Sequence, residues 1–401
     1  MPLDTGDTSF MLVATALVMI MTPGLAFFYG GLVSRKNVLA IMMQSYVSMG
    51  VSTILWVAVG YSLCFSGDVG GIIGNLDMAF LRGIEVTDLG GLNDTIPLLL
   101  FVVYQMMFAI ITPALITGAF ANRITFKAYL IFLVAWQILV YYPFVHMIWG
   151  GGMLADWGVL DFAGGIVVHA LAGMAALASV IYVGKRGVED AGAHNVPFVA
   201  IGAALLWFGW FGFNAGSELA VDGVTAVAFI NTQIAAAFAA ITWLLLAWHY
   251  DGKPSFVEML IGMIAGLATI TPAAGFVSPQ SAMLIGVAAG AACYFAVVFR
   301  KKKGLDDALD VWGVHGVGGA LGIIMLGVLA SESIGGQNGL YHGNQDFFMV
   351  QLAGLALACV WAFAFTYGML MMIDKVTPVR VSEEAEAALD VTLHGESAYT
   401  D

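Results

Sequence analysis

Charged residues are scarce in this chain: Asp, Glu, Lys and Arg make up only 10% of its 401 positions, where an ordinary soluble domain has about a quarter. With 60% of the residues hydrophobic, an ordinary aqueous fold is excluded. Cysteine is rare too. Cys64, Cys293 and Cys359 lie within apolar runs, are odd in number and lack metal-ligand spacing, so they read as small buried hydrophobes. The N-terminus has no basic region: Met1 to Thr8 carries Asp4 and Asp7, so no cleavable signal peptide is expected and the first apolar run is expected to stay in the protein. No stretch before residue 375 reads as a soluble domain. The longest polar segment, Gly67 to Ile96, has glycine-rich turn signals but too little periodic apolar sequence for a core; it is expected to cap one surface.

What the chain does have is long apolar runs. At roughly 20 residues per crossing, they divide into eleven spans, at about 8–33, 38–66, 97–121, 128–148, 162–183, 197–215, 223–249, 256–276, 280–299, 311–331 and 347–373. The expected fold is an all-α integral membrane protein of the cytoplasmic membrane, with residues 1–374 as the transmembrane domain and 375–401 as a tail. Short cytoplasmic loops retain Lys and Arg. Arg35, Lys36, Arg123, Lys127, Lys185, Arg186, Lys253, Arg300 to Lys303, Lys375 and Arg380 all follow odd-numbered spans, and of the 14 basic residues only Arg82 does not. That pattern puts the N-terminus outside and the C-terminus in the cytoplasm. The outer loops then hold Asp68, Asp77, Glu85, Asp88, Asp94, Asp156, Glu218, Asp222, Glu332 and Asp346. Such a face would concentrate cations, although solubility of exposed loops accounts for it equally well.

Two histidines interrupt the apolar spans: His169 in Asp161-Phe-Ala-Gly-Gly-Ile-Val-Val-His169 and His315 in Asp310-Val-Trp-Gly-Val-His315-Gly-Val-Gly-Gly. An ionisable group in hydrocarbon is costly and usually lines a polar path or pairs with another such group. One alone reads equally well as a structural hydrogen bond to a neighbouring helix. Two, each following an Asp near a span end and each followed four residues later by Gly173 or Gly319, favour a conduction path. They fall in the fifth and tenth spans, and a shift of five inverts direction across the membrane. The spacing fits an inverted-topology 5+5 repeat with the eleventh span outside it. At 1.5 Å per residue, His169 lies roughly 12 Å below its outer end and His315 roughly 8 Å above its inner end of a ~30 Å core; contact between them is permitted.

Aromatic and small residues gather in Tyr104-Gln-Met-Met-Phe108, Ile148-Trp149-Gly-Gly-Gly152 and Trp207 to Ser217. A lone Trp would belong to the interfacial belt. Interleaved with glycines on three spans, these rings could instead meet a small desolvated cation, an attraction of about 2 kcal/mol, and Ser217 could accept a hydrogen bond from an N–H donor.

Thr22-Pro-Gly-Leu-Ala-Phe-Phe-Tyr-Gly-Gly-Leu-Val33, the two histidine segments, Trp210-Phe-Gly-Phe-Asn-Ala-Gly-Ser217 and Leu389-Asp-Val-Thr-Leu-His-Gly-Glu-Ser-Ala-Tyr399, in that order, resemble the Amt/Mep/Rh ammonium transporter family, on its Amt side. The resemblance implies a homotrimer with one pore per subunit. It implies that Trp149, Phe108 and Ser217 recruit ammonium, with Tyr104 where Phe is common. It further implies that Phe108 and Phe213 close the pore mouth, that Trp210 lines the pore below, and that His169 and His315 are hydrogen-bonded twin histidines. Asp161 would be the buried carboxylate beneath the outer site. A trimeric PII-type signalling protein would be the partner on the cytoplasmic face. No cofactor, metal or nucleic-acid partner is implied.

Ammonium and potassium are alike in size and charge, so discrimination needs N–H acceptors and a narrow apolar pore in which a bare ion loses hydration without replacement. Ammonia crosses such a pore far more cheaply, and neutral imidazoles offer it donor and acceptor sites. Asp161 reads first as a cap of the fifth span, and Asp310 as a cap of the tenth. His146 and His249 read as unremarkable interface residues, and His194 and His342 have no assigned role. The Glu383 to Leu389 run favours a short helix in an ordered tail, where composition alone favours a flexible one. Two rival readings are an ammonium sensor, which would usually carry an added signalling domain, and an ion-coupled transporter, which would need interrupted spans not evident here. An enzyme fits least, since no third metal ligand stands beside the histidines.

Overall fold

The computed structural model describes residues 2–188 and 192–399; the last two residues of the expected tail segment lie outside that range. Without water in the bilayer core, backbone polar groups must be satisfied within each segment, which leaves helices for a single chain this apolar. Among the described residues there are eleven helices long and apolar enough to cross a membrane and no strands. They are α1 Thr5–Leu32, α2 Val38–Phe65, α3 Leu98–Ile116, α4 Phe126–Asp156, α5 Gly165–Val183, α6 Val196–Glu218, α7 Gly223–Asp251, α8 Phe256–Ala273, α9 Pro279–Lys302, α10 Trp312–Leu329 and α11 Gln345–Asp374.

Their starts follow local chemistry. Asp4, Thr125, Asn195, Asp222, Ser255, Ser278 and Asn344 each accept a backbone N–H of the helix they precede. Hydropathy alone places most ends within a few residues. The largest departure is α4, whose apolar run stops at Trp149 and which resumes for one turn, Met153–Asp156, after a glycine break.

The bundle is organised around close backbone crossings. α1 lies along α6, where a Cβ on Gly202 would sit 2.2 Å from the backbone nitrogen of Phe28. α7 lies against α8 and α9, with Gly262, Gly266, Gly286 and Gly290 at the contacts. α11 lies across α4, α5 and α10.

The fifth and tenth spans cross at their histidine segments, and each widens there to a π-helical stretch, Gly165–Ala170 and Trp312–Gly316. At Gly173 a Cβ would meet Gly316 Cα at 2.0 Å, and at Gly319 one would meet His169 Cβ at 2.8 Å. Thus the glycine four residues after each histidine lets the other segment approach. The two histidines are 146 positions apart, and the same shift relates other residues of the two segments: Asp161 to Asp307 (307 − 161) and Gly164 to Asp310 (310 − 164). Gly164 and Asp310 both have positive φ, at +114° and +58°. This correspondence is what an inverted repeat of five spans produces.

The tail is ordered. Its short helices, α12 Glu383–Glu386 and α13 Leu389–His394, lie under the start of α2. Ala40, Val381, Ala385 and Leu389 form a small apolar cluster. The Asn37 amide donates to Glu386 O at 3.0 Å and its oxygen accepts from Leu389 N at 2.8 Å, while Asp390 Oδ1 accepts from Ala40 N at 2.8 Å. His194 is within 2.8 Å of the Tyr399 hydroxyl and 2.9 Å of Val33 O, so a histidine without an assigned role helps fasten the chain end. Buried Arg123 and partly buried Arg186 and Asp306 form an ion cluster at this same end of the bundle, and segment 67–96 covers the other.

Candidate functional site

The site begins at Asp161. Its Oδ1 accepts from the N–H groups of Gly164 and Gly165 at 2.9 and 2.6 Å, and its Oδ2 from Ile166 and Val167 at 2.7 and 3.1 Å. One carboxylate therefore satisfies the four orphan donors that open a helix, and sits at the positive end of its dipole. The left-handed backbone of Gly164 makes the return over the carboxylate possible. Capping is the role these bonds display.

The corresponding carboxylate before α10 is Asp307, a residue for which no role was expected. Its Oδ2 accepts from Trp312 N at 2.7 Å, whereas Asp310, expected to be the cap, turns away to pair with Arg300. The second oxygen of Asp307 is buried without a partner among the described residues. Burial, and then the negative charge of Asp310, push the Asp307 carboxyl up to about 6, against the opposing pull of Arg300 and the helix N–H groups. The shared spacing of eight residues from carboxylate to histidine is the signal in the sequence that points to it.

His169 and His315, both buried, meet with their Nδ1 atoms 3.2 Å apart and their rings 5.2 Å apart at 19°. For that bond one Nδ1 must carry the proton and the other accept it, which fixes complementary tautomers and leaves each Nε2 for other partners. His169 Nε2 has none among the described residues. Trp210 stacks on His169 at 5.5 Å, and its indole N–H donates to Thr271 Oγ1 at 2.9 Å, which fixes the ring. Beside the pair lies a narrow apolar cavity lined by Leu25, Tyr29, Ile111, Leu115, Leu206 and Ile264, with free space of only about 10 Å³. That is about the least that admits one water molecule.

Phe213 lies over His169 at 6.0 Å, and Phe108 over Phe213 at 4.4 Å and 37°. These two rings separate that narrow cavity from a vestibule of roughly 380 Å³, lined among others by Gln105, Phe108, Trp149, Asp161, Ser217 and Glu218. Trp149 meets Phe108 edge to face at 6.0 Å, and its indole N–H donates to Asp161 O at 2.8 Å. Ser217 Oγ donates to Phe213 O at 2.9 Å, which turns its lone pairs to other use.

Tyr104 stands apart from the other expected residues. It does not line the vestibule; its ring packs on Phe108 at 5.1 Å. Its hydroxyl donates to Gly212 O at 2.9 Å and lies 3.2 Å from Ser217 Oγ. The extra hydroxyl thus pins the end of α6 that carries Phe213 and Ser217.

Three features of the vestibule are not evident from the sequence. Gln105 lines the cavity with its amide oxygen buried and unpartnered among the described residues. Glu218, in sequence one of ten acidic loop residues, lines it as well. His146 is fully buried, with Nε2 2.9 Å from Asp68 Oδ1 and Nδ1 2.9 Å from Cys64 O, and so ties the 67–96 segment to α4 one turn before Trp149.

The profile of the Ammonium Transporter Family matches residues 9–399. The ammonium transporter of Bacillus subtilis is 46% identical over 404 residues, covering 100% of both chains. Among solved structures, Mep2 of Saccharomyces cerevisiae superposes with a TM-score of 0.89 at 33% identity, over 95% of this chain and 88% of that one. A structure described as a sensor Amt protein matches with a TM-score of 0.89 at 28% identity, over 97% of this chain and 98% of that one.

Proposed function

The chain belongs to the ammonium transporter family, and on that premise we propose that it recruits ammonium in the vestibule, removes a proton there and conducts ammonia along the histidine pair. The observation that carries this reading is the ordering of parts: an acceptor-lined cavity, two closely packed rings, then an apolar space of about 10 Å³ beside His169 and His315. A hydrated ion cannot enter so small a space, and stripping its water there has no compensation from ligands. Ammonia carries no charge and can exchange hydrogen bonds with the imidazoles.

In this proposal Trp149, Phe108 and Ser217 meet the cation, Tyr104 holds Ser217 and Phe213 in place, Phe108 and Phe213 gate, and Trp210 orients His169. Asp161 shapes the vestibule floor as a cap. The vestibule faces outward, with the N-terminus outside and the C-terminus in the cytoplasm, since the basic loops and tail share the opposite end. The working unit is a homotrimer whose cytoplasmic face receives a PII-type protein, with residues 375–401 forming a regulatory tail beneath domain 1–374.

Reconstituted protein given an ammonium concentration jump should yield a saturable current that potassium does not replace and sodium does not drive. A sodium requirement would overturn the reading in favour of a coupled transporter. The sensor reading is favoured by the likeness to a sensor Amt protein; saturable ammonium binding with no current and no ammonia flux would select it.

A further inference from the structure

We infer that the carboxylate meeting the ammonium ion in the vestibule is Glu218 rather than Asp161, an assignment that rests on the transport reading above. Each oxygen of Asp161 already accepts two backbone N–H groups, which uses the acceptor capacity of a carboxylate. Its charge is matched by the start of α5. Nothing remains with which to hold a cation.

Glu218 differs on each count. It lines the same cavity as Trp149, Phe108 and Ser217, is half-buried, and follows Ser217 directly. Among the described residues, no hydrogen bond or ion pair engages its carboxylate. The turn that presents it is fixed: Gly216–Glu218 closes on Leu219 in the left-handed region at φ +60°, and Leu219 O accepts from the Asn93 amide at 2.8 Å. Its charged neighbour is Asp222, also acidic and itself engaged in capping α7 through Val224 N and Thr225 N. No Lys or Arg lines the cavity. An uncompensated carboxylate half removed from water attracts a cation far more strongly than an exposed one. In the same cavity wall Trp149 and Phe108 offer ring faces and Ser217 a hydroxyl. A carboxylate, a hydroxyl and aromatic faces around one small space suit a compact N–H cation and repel anions.

The test is the saturation of the ammonium-jump current in reconstituted full-length protein. Replacing Glu218→Gln removes the charge and keeps the shape; the apparent KM should rise about three- to tenfold, the size of a partly screened contact charge. Glu218→Asp should fall between wild type and Glu218→Gln. If Glu218→Gln fails to assemble, Glu218→Ala, smaller at a half-buried position, provides the same readout. A wild-type KM in the charge-removing variant overturns the assignment, and so does an Asp variant as impaired as the Gln variant. Absence of any saturable current in the wild type overturns instead the transport reading on which the assignment rests.

Discussion

The two histidine segments are built on one plan and finished differently. At the start of α5 a single carboxylate, Asp161, takes four backbone N–H groups and the left-handed position is a glycine. Before α10 Asp307 keeps a buried oxygen without a partner among the described residues, and the left-handed position is Asp310, which is held by Arg300. The first carboxylate is therefore fully bonded, while the second segment carries two neighbouring carboxylates and a compensating guanidinium. The same helix geometry thus serves once as a capped wall of the vestibule and once as a cluster of acids beside an arginine.

The comparison breaks most visibly at Asp161. Asp161→Ala would strand four buried donors, each worth about 1 to 3 kcal/mol when unsatisfied. Partial rescue by water should leave a loss of at least about 3 kcal/mol, read as a sharp fall in melting temperature in detergent. A near-native melting curve would show that the four bonds are replaceable.

Next come the histidines. His169→Glu and His315→Glu each place a potential cation ligand where a neutral ring stands, so discrimination between ammonium and potassium should fall roughly tenfold or more, or about 1.4 kcal/mol. Bi-ionic current measurements check this. Unchanged rate and selectivity in both variants would dissolve the pair as a functional unit.

The second segment offers a pH test. The Asp307 carboxyl is raised from 3.8 to about 6, so the folded protein holds that proton more tightly than the unfolded chain. The stabilisation is complete below pH 3.8 and is lost as pH rises to about 6. The cost of the charged form above that pH is at most about 3 kcal/mol at 1.36 kcal/mol per unit. Asp307→Asn should accordingly gain stability relative to wild type between pH 4 and pH 7.5. Parallel melting temperatures across that range would refute the shift.

The smallest effect is expected from Asp310→Gly, which gives the second segment the first segment's residue at the left-handed position. Relief of the positive φ, about 1 kcal/mol, opposes loss of the Arg300 pair, so net stability should change by less than about 1 kcal/mol. A larger loss would show that the ion pair outweighs the backbone strain.

Much of the fold could be read from the sequence because lipid imposes a simple rule, about 20 apolar residues per crossing. The span ends at α2, α7 and α11 follow it within a few residues. That His169 could meet His315, and that Phe108, Phe213 and Trp149 gather on neighbouring spans, was legible because polar or aromatic residues inside apolar, glycine-rich spans have few inexpensive alternatives. Other residues escaped for physical reasons. Asp307 escaped because hydropathy does not reveal which of the neighbouring carboxylates Asp306, Asp307 and Asp310 folds back onto a helix. His146 looked interfacial because burial there comes from segment 67–96 folding over it, a long-range event. Glu218 was hidden by its position at a span end, where acidic residues are ordinary. Tyr104 is a further case: the sequence shows a ring beside Phe108, while the hydroxyl's bond to Gly212 O comes from a residue 108 positions away.

The bonds between the tail and α2 also bear on the order in which the protein is completed. Asn37 makes no cap for α2, because its amide is bound to the tail, and the acceptor for Ala40 N is Asp390, 350 positions later. Ribosomal synthesis at about 5 to 20 residues per second puts roughly 20 to 70 s between the making of that donor and of its acceptor. During that interval the first turn of the second span lacks its acceptor. The arrangement makes the start of α2 depend on residues 386–390, so that turn is completed only after residue 390 has been made.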